Sequence, residues 1–172
     1  FWAGYSFSRE YNSPRGHKHA IEDMRAILRT GNPGIDGEGD IQPATCWTCK
    51  GPDVPRMMHE MGIANFYKAP WSQLGAEIMN PIGCGDCHDP KTMDLKITRP
   101  ALIEAFQRQG KDITKATPQE MRSLVCAQCH VEYYFKGEGQ YLTFPWDKGM
   151  TMEDAEAYYD ESDYYDYIHA LS

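Results

Sequence analysis

Apolar positions along the chain recur at helical spacing, in short runs cut by glycine and proline. Ala20, Ile21, Met24, Ile27 and Leu28 fall three and four residues apart and make one apolar face. Ser13-Pro14 ahead of them reads as an N-cap followed by a first-turn proline, and Gly31 stops the run. Asp53 is placed to cap a short helix through Met57, Met58 and Met61, and a further helix is expected from Ser72 to Met79, ended by Asn80-Pro81. Residues 99–109 form a third amphipathic segment closed by Gly110. Thr117-Pro118-Gln119-Glu120 combines a capping threonine, a first-turn proline and a glutamate three residues on. Thr151 caps a last helix through Tyr158 and Tyr159.

The remaining stretches lack such periods. Residues 1–12 are aromatic and mixed, and read as extended or irregular. Asn32-Pro33-Gly34 opens a glycine-rich loop that runs to Pro43. Residues 131–150 are aromatic and broken by glycine, with room for a short strand pair. The pattern predicts one mainly α unit over residues 1–172, with long loops between its helices.

The loops and helix ends carry three related motifs. Cys46-Trp47-Thr48-Cys49-Lys50, Cys84-Gly85-Asp86-Cys87-His88 and Cys126-Ala127-Gln128-Cys129-His130 each pair two cysteines across two residues, followed by a metal-capable side chain. In a c-type haem site the cysteines form thioethers to the porphyrin and the fifth residue reaches the iron. Zinc ribbons also use such pairs, but need four thiolates per metal. Six cysteines leave one pair over in that scheme, whereas three haems use all six. The motifs start at unequal intervals, 46, 84 and 126, which excludes a solenoid repeat. The fold class expected is a mainly α multihaem c-type cytochrome, its helices and long loops wrapped around closely packed haems.

The first motif ends in lysine. A free lysine gives up its proton at neutral pH only at a cost of roughly 4–5 kcal/mol, from a pKa of ~10.4. Burial and the iron–nitrogen bond must outweigh that cost. Lysine ligation therefore suits an iron tuned for chemistry at an open sixth position better than one that only passes electrons.

Lys50, His88 and His130 account for one side of each iron, and His17, His19, His59 and His169 remain. His17, just inside the first helix, leads as a distal ligand; a surface or core histidine fits its spacing equally well. Met57 and Met58 suit iron as well as helix packing. A net charge of -8, with acids gathered near the C-terminus, excludes a phosphate-neutralising nucleic-acid surface. No apolar run reaches the ~18 residues of a membrane span. The chain opens on Phe1 and stops at Ser172, and both ends read as cuts through a larger protein.

Several stretches together resemble the pentahaem cytochrome c nitrite reductases, the ammonia-forming enzymes. They are Ser13-Pro14-Arg15-Gly16-His17, Leu28-Arg29-Thr30-Gly31, the lysine motif, the run from Cys126 through Phe135, and Phe144-Pro145-Trp146-Asp147. The resemblance implies that Lys50 is the proximal ligand of a catalytic haem on Cys46 and Cys49. It implies bis-histidine haems on Cys126, Cys129 and His130, opposed by His17, and on Cys84, Cys87 and His88, whose distal ligand lies beyond residue 172. Arg29 becomes the distal-pocket arginine that attracts an anion; read alone, it equally suits a helix C-terminus. Tyr133 becomes a catalytic tyrosine, where packing against a haem is the plainer role. Glu132 and the Tyr133 carbonyl become calcium ligands.

The activity implied is the six-electron reduction of nitrite to ammonium in the periplasm. The family carries five haems, of which three attachment sites are visible here, and its catalytic histidine falls outside this sequence. The donor implied is a membrane-associated multihaem quinol dehydrogenase or a soluble multihaem cytochrome, and the longer protein is expected to be a homodimer. Two alternatives stand beside it: an electron carrier with every haem six-coordinate, and a related multihaem enzyme acting on hydroxylamine or sulfite.

Overall fold

The computed structural model describes residues 15–26 and 42–163. Its helices are α1 (Ala20–Ala26), α2 (Asp53–Met61), α3 (Ile63–Lys68), α4 (Trp71–Gly75), α5 (Pro100–Arg108), α6 (Pro118–Ala127) and α7 (Met152–Ser162). Strands β1 (Tyr134–Lys136) and β2 (Tyr141–Thr143) pair antiparallel, with Phe135 opposite Leu142. The chain is mainly helical, as its apolar spacing predicts, and the strand pair lies inside the aromatic stretch. Several expectations lie outside the described residues. These are the Ser13-Pro14 start and Gly31 stop of the first helix, Ile27, Leu28, Arg29, the reading of residues 1–12, the loop from Asn32 to residue 41, and His169.

Helix ends follow the capping chemistry. Thr117 Oγ1 accepts from the Glu120 amide at 3.3 Å, and the Glu120 carboxylate accepts from the Thr117 amide at 2.8 Å. Thr151 and Asp154 repeat the box at the start of α7. Pro100 begins α5, and Gly110 at φ +76° lies just beyond its end.

Two helix expectations are corrected. Asp53 does not cap α2, because Pro52 holds the cap position. Its carboxylate turns to another segment and accepts from the amides of Met79 at 2.9 Å and Asn80 at 2.8 Å. Burial opposes its ionisation, but these bonds from Asn80 and Met79 prevail and hold Asp53 below the usual carboxylate range. The helix expected over Ser72–Met79 stops at Gly75 for the same reason. The amides of Met79 and Asn80 find a charged acceptor in Asp53, while Arg25 donates to the carbonyls of Gly75 and Ile78. Helix α3 was not anticipated: six residues are too few to display a period.

The core lies among α2, α3, α4, α5 and the hairpin. Val54, Met57 and Met58 from α2, Phe66 and Tyr67 from α3, Trp71 and Leu74 from α4, Ala101 and Ala105 from α5, and Leu142 and Phe144 meet there. Trp47, fully buried, stacks on Trp71 with ring centroids 4.5 Å apart, and its indole N–H donates to the Trp71 carbonyl at 2.9 Å. The first cysteine motif is thereby set into the core. No helix among the described residues is long and apolar enough to cross a membrane.

Candidate functional site

Each motif lies on a tight turn, which places residues three apart on one side. Cys46 belongs to the 3-10 turn Ala44–Trp47, Cys84 to the 3-10 turn Cys84–Asp86, and Cys126 to the end of α6. The two histidine motifs close alike: the His88 amide donates to the Cys84 carbonyl, and the His130 amide to the Cys126 carbonyl, both at 2.8 Å. The lysine motif closes one residue tighter, with the Lys50 amide on the Trp47 carbonyl at 2.8 Å.

The cysteines are half-buried or exposed, and none of the six is in a disulfide. Among the described residues, which include all six, no group of three or more histidine, cysteine or acidic side chains is arranged to hold a metal ion. Separate pairs, each with its own fifth residue, are a donor set for covalent haem and not for a four-thiolate zinc site. The first and third motifs abut, with Cys49 Sγ 3.9 Å from the Cys129 carbonyl.

His17 and His130, both exposed, face each other with ring centroids 6.0 Å apart and planes 33° from parallel. Two imidazoles on one iron need about 6 Å, from metal–nitrogen bonds of ~2.0–2.1 Å and ~1.1 Å more to each ring centre. His88 Nδ1 lies 2.7 Å from the Met93 carbonyl, which can only accept, so Nδ1 carries the hydrogen of that bond. The loop between them folds back to supply that carbonyl, with the Asp89 amide on Asp94 at 2.9 Å and the Lys96 amide on Cys87 at 2.8 Å.

Lys50 is half-buried beside Gly51. Gly51 sits at φ +80°, and a Cβ there would overlap the Asn80 carbonyl oxygen, so the residue after the lysine has to be glycine. Tyr133 is 44% exposed and stacks on Phe135 at 5.6 Å. Glu132 Oε1 accepts from the phenols of Tyr134 at 3.1 Å and Tyr159 at 3.0 Å. Burial, then Tyr159 and Glu132, push the Tyr134 phenol up. The structure thus brings together the first and third motifs, and His17 with His130; Arg29 is outside the described residues.

Sequence reasoning missed Thr98, Arg99 and two residues inside the motifs, Asp86 and Gln128. Arg99 is 1% exposed and ion-paired to Asp86 at 2.7 Å. The only local signal was polarity in an awkward place: an acid and an amide between cysteines of two tight motifs.

The description of the cytochrome c552 family matches residues 1–172. A cytochrome c-552 of Porphyromonas gingivalis is 78% identical over 172 residues, covering 100% of this chain and 34% of that protein. A cytochrome c-552 of Bacteroides thetaiotaomicron is 72% identical over 171 residues, covering 99% of this chain and again 34% of the relative. The chain therefore spans about a third of the length of these curated relatives. Among solved structures, the catalytic subunit of cytochrome c nitrite reductase from Desulfovibrio desulfuricans, described with two calcium sites, superposes with a TM-score of 0.78. It is 39% identical, over 91% of this chain and 34% of the subunit. Motifs, fold and relatives agree: this chain belongs to the cytochrome c552 family, multihaem c-type cytochromes whose cofactor is haem c.

Proposed function

We propose that this chain is the active-site part of a periplasmic multihaem reductase that converts nitrite to ammonium, residues 1–172 forming one unit of it. Lys50 carries the reading. It stands where the other two motifs have histidine, in a chain 39% identical to a nitrite reductase subunit. Cys46 and Cys49 would hold a haem c and Lys50 its iron, and that group would supply the redox chemistry of nitrite reduction. Lys50 needs its amine neutral and aimed, and Gly51 and the buried Trp47 fix the backbone on either side of it.

Arg29 attracts and orients the anion by its fixed charge. Tyr133, with its ring exposed, donates a hydrogen bond or proton to the bound nitrogen species. His130 and His17 take the two faces of the haem on Cys126 and Cys129, supported by their facing rings. His88 takes one face of the haem on Cys84 and Cys87, supported by the Met93 carbonyl on its other nitrogen. The second ligand of that haem, two further haems and a catalytic histidine belong, on the family pattern, to parts of the longer relatives beyond the matched third.

Glu132 and the Tyr133 carbonyl would be calcium ligands, the remaining ones belonging to parts of the longer protein. Two oxygens are too few to hold the ion, and Glu132 already serves two phenols. Electrons come from a membrane-associated multihaem quinol dehydrogenase or a soluble multihaem cytochrome, and the longer protein is a homodimer.

Lys50→His tests the reading. The variant keeps its haem count by intact mass but loses at least about tenfold in nitrite turnover, a ~1.4 kcal/mol loss of transition-state stabilisation. Unchanged turnover removes the special role of the lysine. A wild-type protein whose haems are all low-spin, with spectra that ignore nitrite and cyanide, is an electron carrier instead.

A further inference from the structure

The second of the two residues between the cysteines is buried in all three motifs. Thr48 is 1% exposed, Asp86 3% and Gln128 3%. All three converge on Thr98-Arg99, at the start of α5. Arg99 donates from Nε to the Thr48 carbonyl at 2.8 Å, and from Nη2 to the Gly51 carbonyl at 2.9 Å and to Asp86 Oδ1 at 2.7 Å. Gln128 Oε1 accepts from the Thr98 amide at 2.9 Å and the Arg99 amide at 3.2 Å, while its Nε2 donates to the Asp86 carbonyl at 3.0 Å. The Thr98 hydroxyl lies 2.9 Å from that same carbonyl, 3.2 Å from Gln128 Oε1 and 2.6 Å from Arg99 Nη1.

We propose that Arg99, with Thr98, is a positioning residue that locks the three haem-attachment motifs into one mutual placement and holds the Lys50 backbone from both sides. A thioether-bound porphyrin goes where its cysteines go, so the placement of the motifs sets the spacing and tilt of the haems. Thr48 and Gly51 flank Cys49-Lys50, and one guanidinium grips both carbonyls. Arginine suits this task because its planar fork donates in several fixed directions at once, which a lysine ammonium on a flexible stem does not. Asp86 balances the buried charge and carries it into the second motif. The third motif is tied neutrally, through an amide that can accept and donate together. Arg99, Asp86 and Gln128 are all withdrawn from solvent.

The inference rests on one haem per motif, and wild-type intact mass checks that first: fewer haems than motifs defeats that reading before any variant is made. The test compares haem-loaded Arg99→Met with Leu102→Ala, a buried truncation on the same helix whose side chain makes no hydrogen bond to any motif. Arg99→Met releases two carbonyls beside Lys50, so amide hydrogen exchange of residues 49–51 accelerates by about tenfold or more. The electron paramagnetic resonance signal of the Lys50-ligated haem splits or broadens. Leu102→Ala leaves both unchanged, whatever stability it loses. Arg99→Lys, which keeps the charge but not the fork, behaves as Arg99→Met.

If Arg99→Met does not accumulate, the isosteric Thr98→Val decides. It must shift the same signal by a smaller amount. An Arg99→Met protein indistinguishable from Leu102→Ala in exchange and in resonance, or a Thr98→Val protein identical to wild type, overturns the proposal.

Discussion

Asp86→Ala isolates the charge that balances Arg99. Both side chains are removed from water, 1% exposed for Arg99 and 4% for Asp86, with 2.7 Å between Nη2 and Oδ1. Without the carboxylate, the guanidinium keeps only neutral partners, the carbonyls of Thr48 and Gly51 and the Thr98 hydroxyl. Leaving one member of a buried pair uncompensated costs about 3–5 kcal/mol. The Gly83 amide, now on Asp86 Oδ2 at 2.8 Å, loses its acceptor as well and adds about 1 kcal/mol. Against a total stability of about 5–15 kcal/mol, such a loss threatens the fold itself. The measurement is urea unfolding of the haem-loaded protein followed by far-UV circular dichroism, read as a midpoint shift at constant slope. Arg99→Met together with Asp86→Leu removes both charges and recovers part of the loss, the two carbonyls remaining without their donor. A cost below about 1 kcal/mol for Asp86→Ala, as for an exposed pair, would refute a desolvated charge at this position.

Three further outcomes follow from named contacts. Asp53 has a depressed folded pKa, so its contribution is complete above the ordinary carboxylate value and is lost as pH falls through the folded one; Asp53→Asn flattens that acid limb of an unfolding-versus-pH series, and an unaltered limb counts against the Met79 and Asn80 bonds. His17→Ala opens the haem on His130, giving a new high-spin, cyanide-binding signal in the absorption spectrum; an unchanged spectrum separates His17 from that iron. Gly75→Ala puts a Cβ 3.2 Å from Trp47, which is stacked and cannot yield; overpacking of about 1–3 kcal/mol exceeds the helix-propensity gain of under ~1 kcal/mol, and thermal unfolding reports the net loss.

What the sequence displayed was local. The Thr117–Glu120 capping box and the Thr151 cap form as expected, and Asp154 adds a second box within four residues. The haem pairs are legible because covalent attachment dictates their spacing. Asp53 misled because a carboxylate at a helix start has its own amides near at hand, yet here bonds a segment 26 residues away. The Arg99 cluster was invisible for the same reason: its bonds join residues 13, 29, 48 and 51 apart, and no period marks them. His130 was nominated by its motif and His17 by its place at the first helix, while their pairing on one haem came through resemblance.

The three motifs share a construction and differ in one position that separates the lysine site from the others. Their second intervening residues all bond Thr98-Arg99: Asp86 and Gln128 through their side chains, and Thr48 through its carbonyl. The first intervening residues diverge: Gly85 is exposed and Ala127 half-buried, but Trp47 is wholly inside, stacked on Trp71 and hydrogen-bonded to its carbonyl. The lysine motif is therefore held by the core on one side and by Arg99 on the other, while neither histidine motif has a buried indole of its own. An imidazole is a rigid ring with few torsions, and a single carbonyl, as at His88, is enough to aim it. A lysine amine ends a four-carbon stem, and each torsion left loose costs entropy when it is brought to an iron. Fixing the backbone on both sides of Lys50 removes the motion that can be removed, and the most deeply anchored of the three motifs is the one whose ligand is hardest to aim.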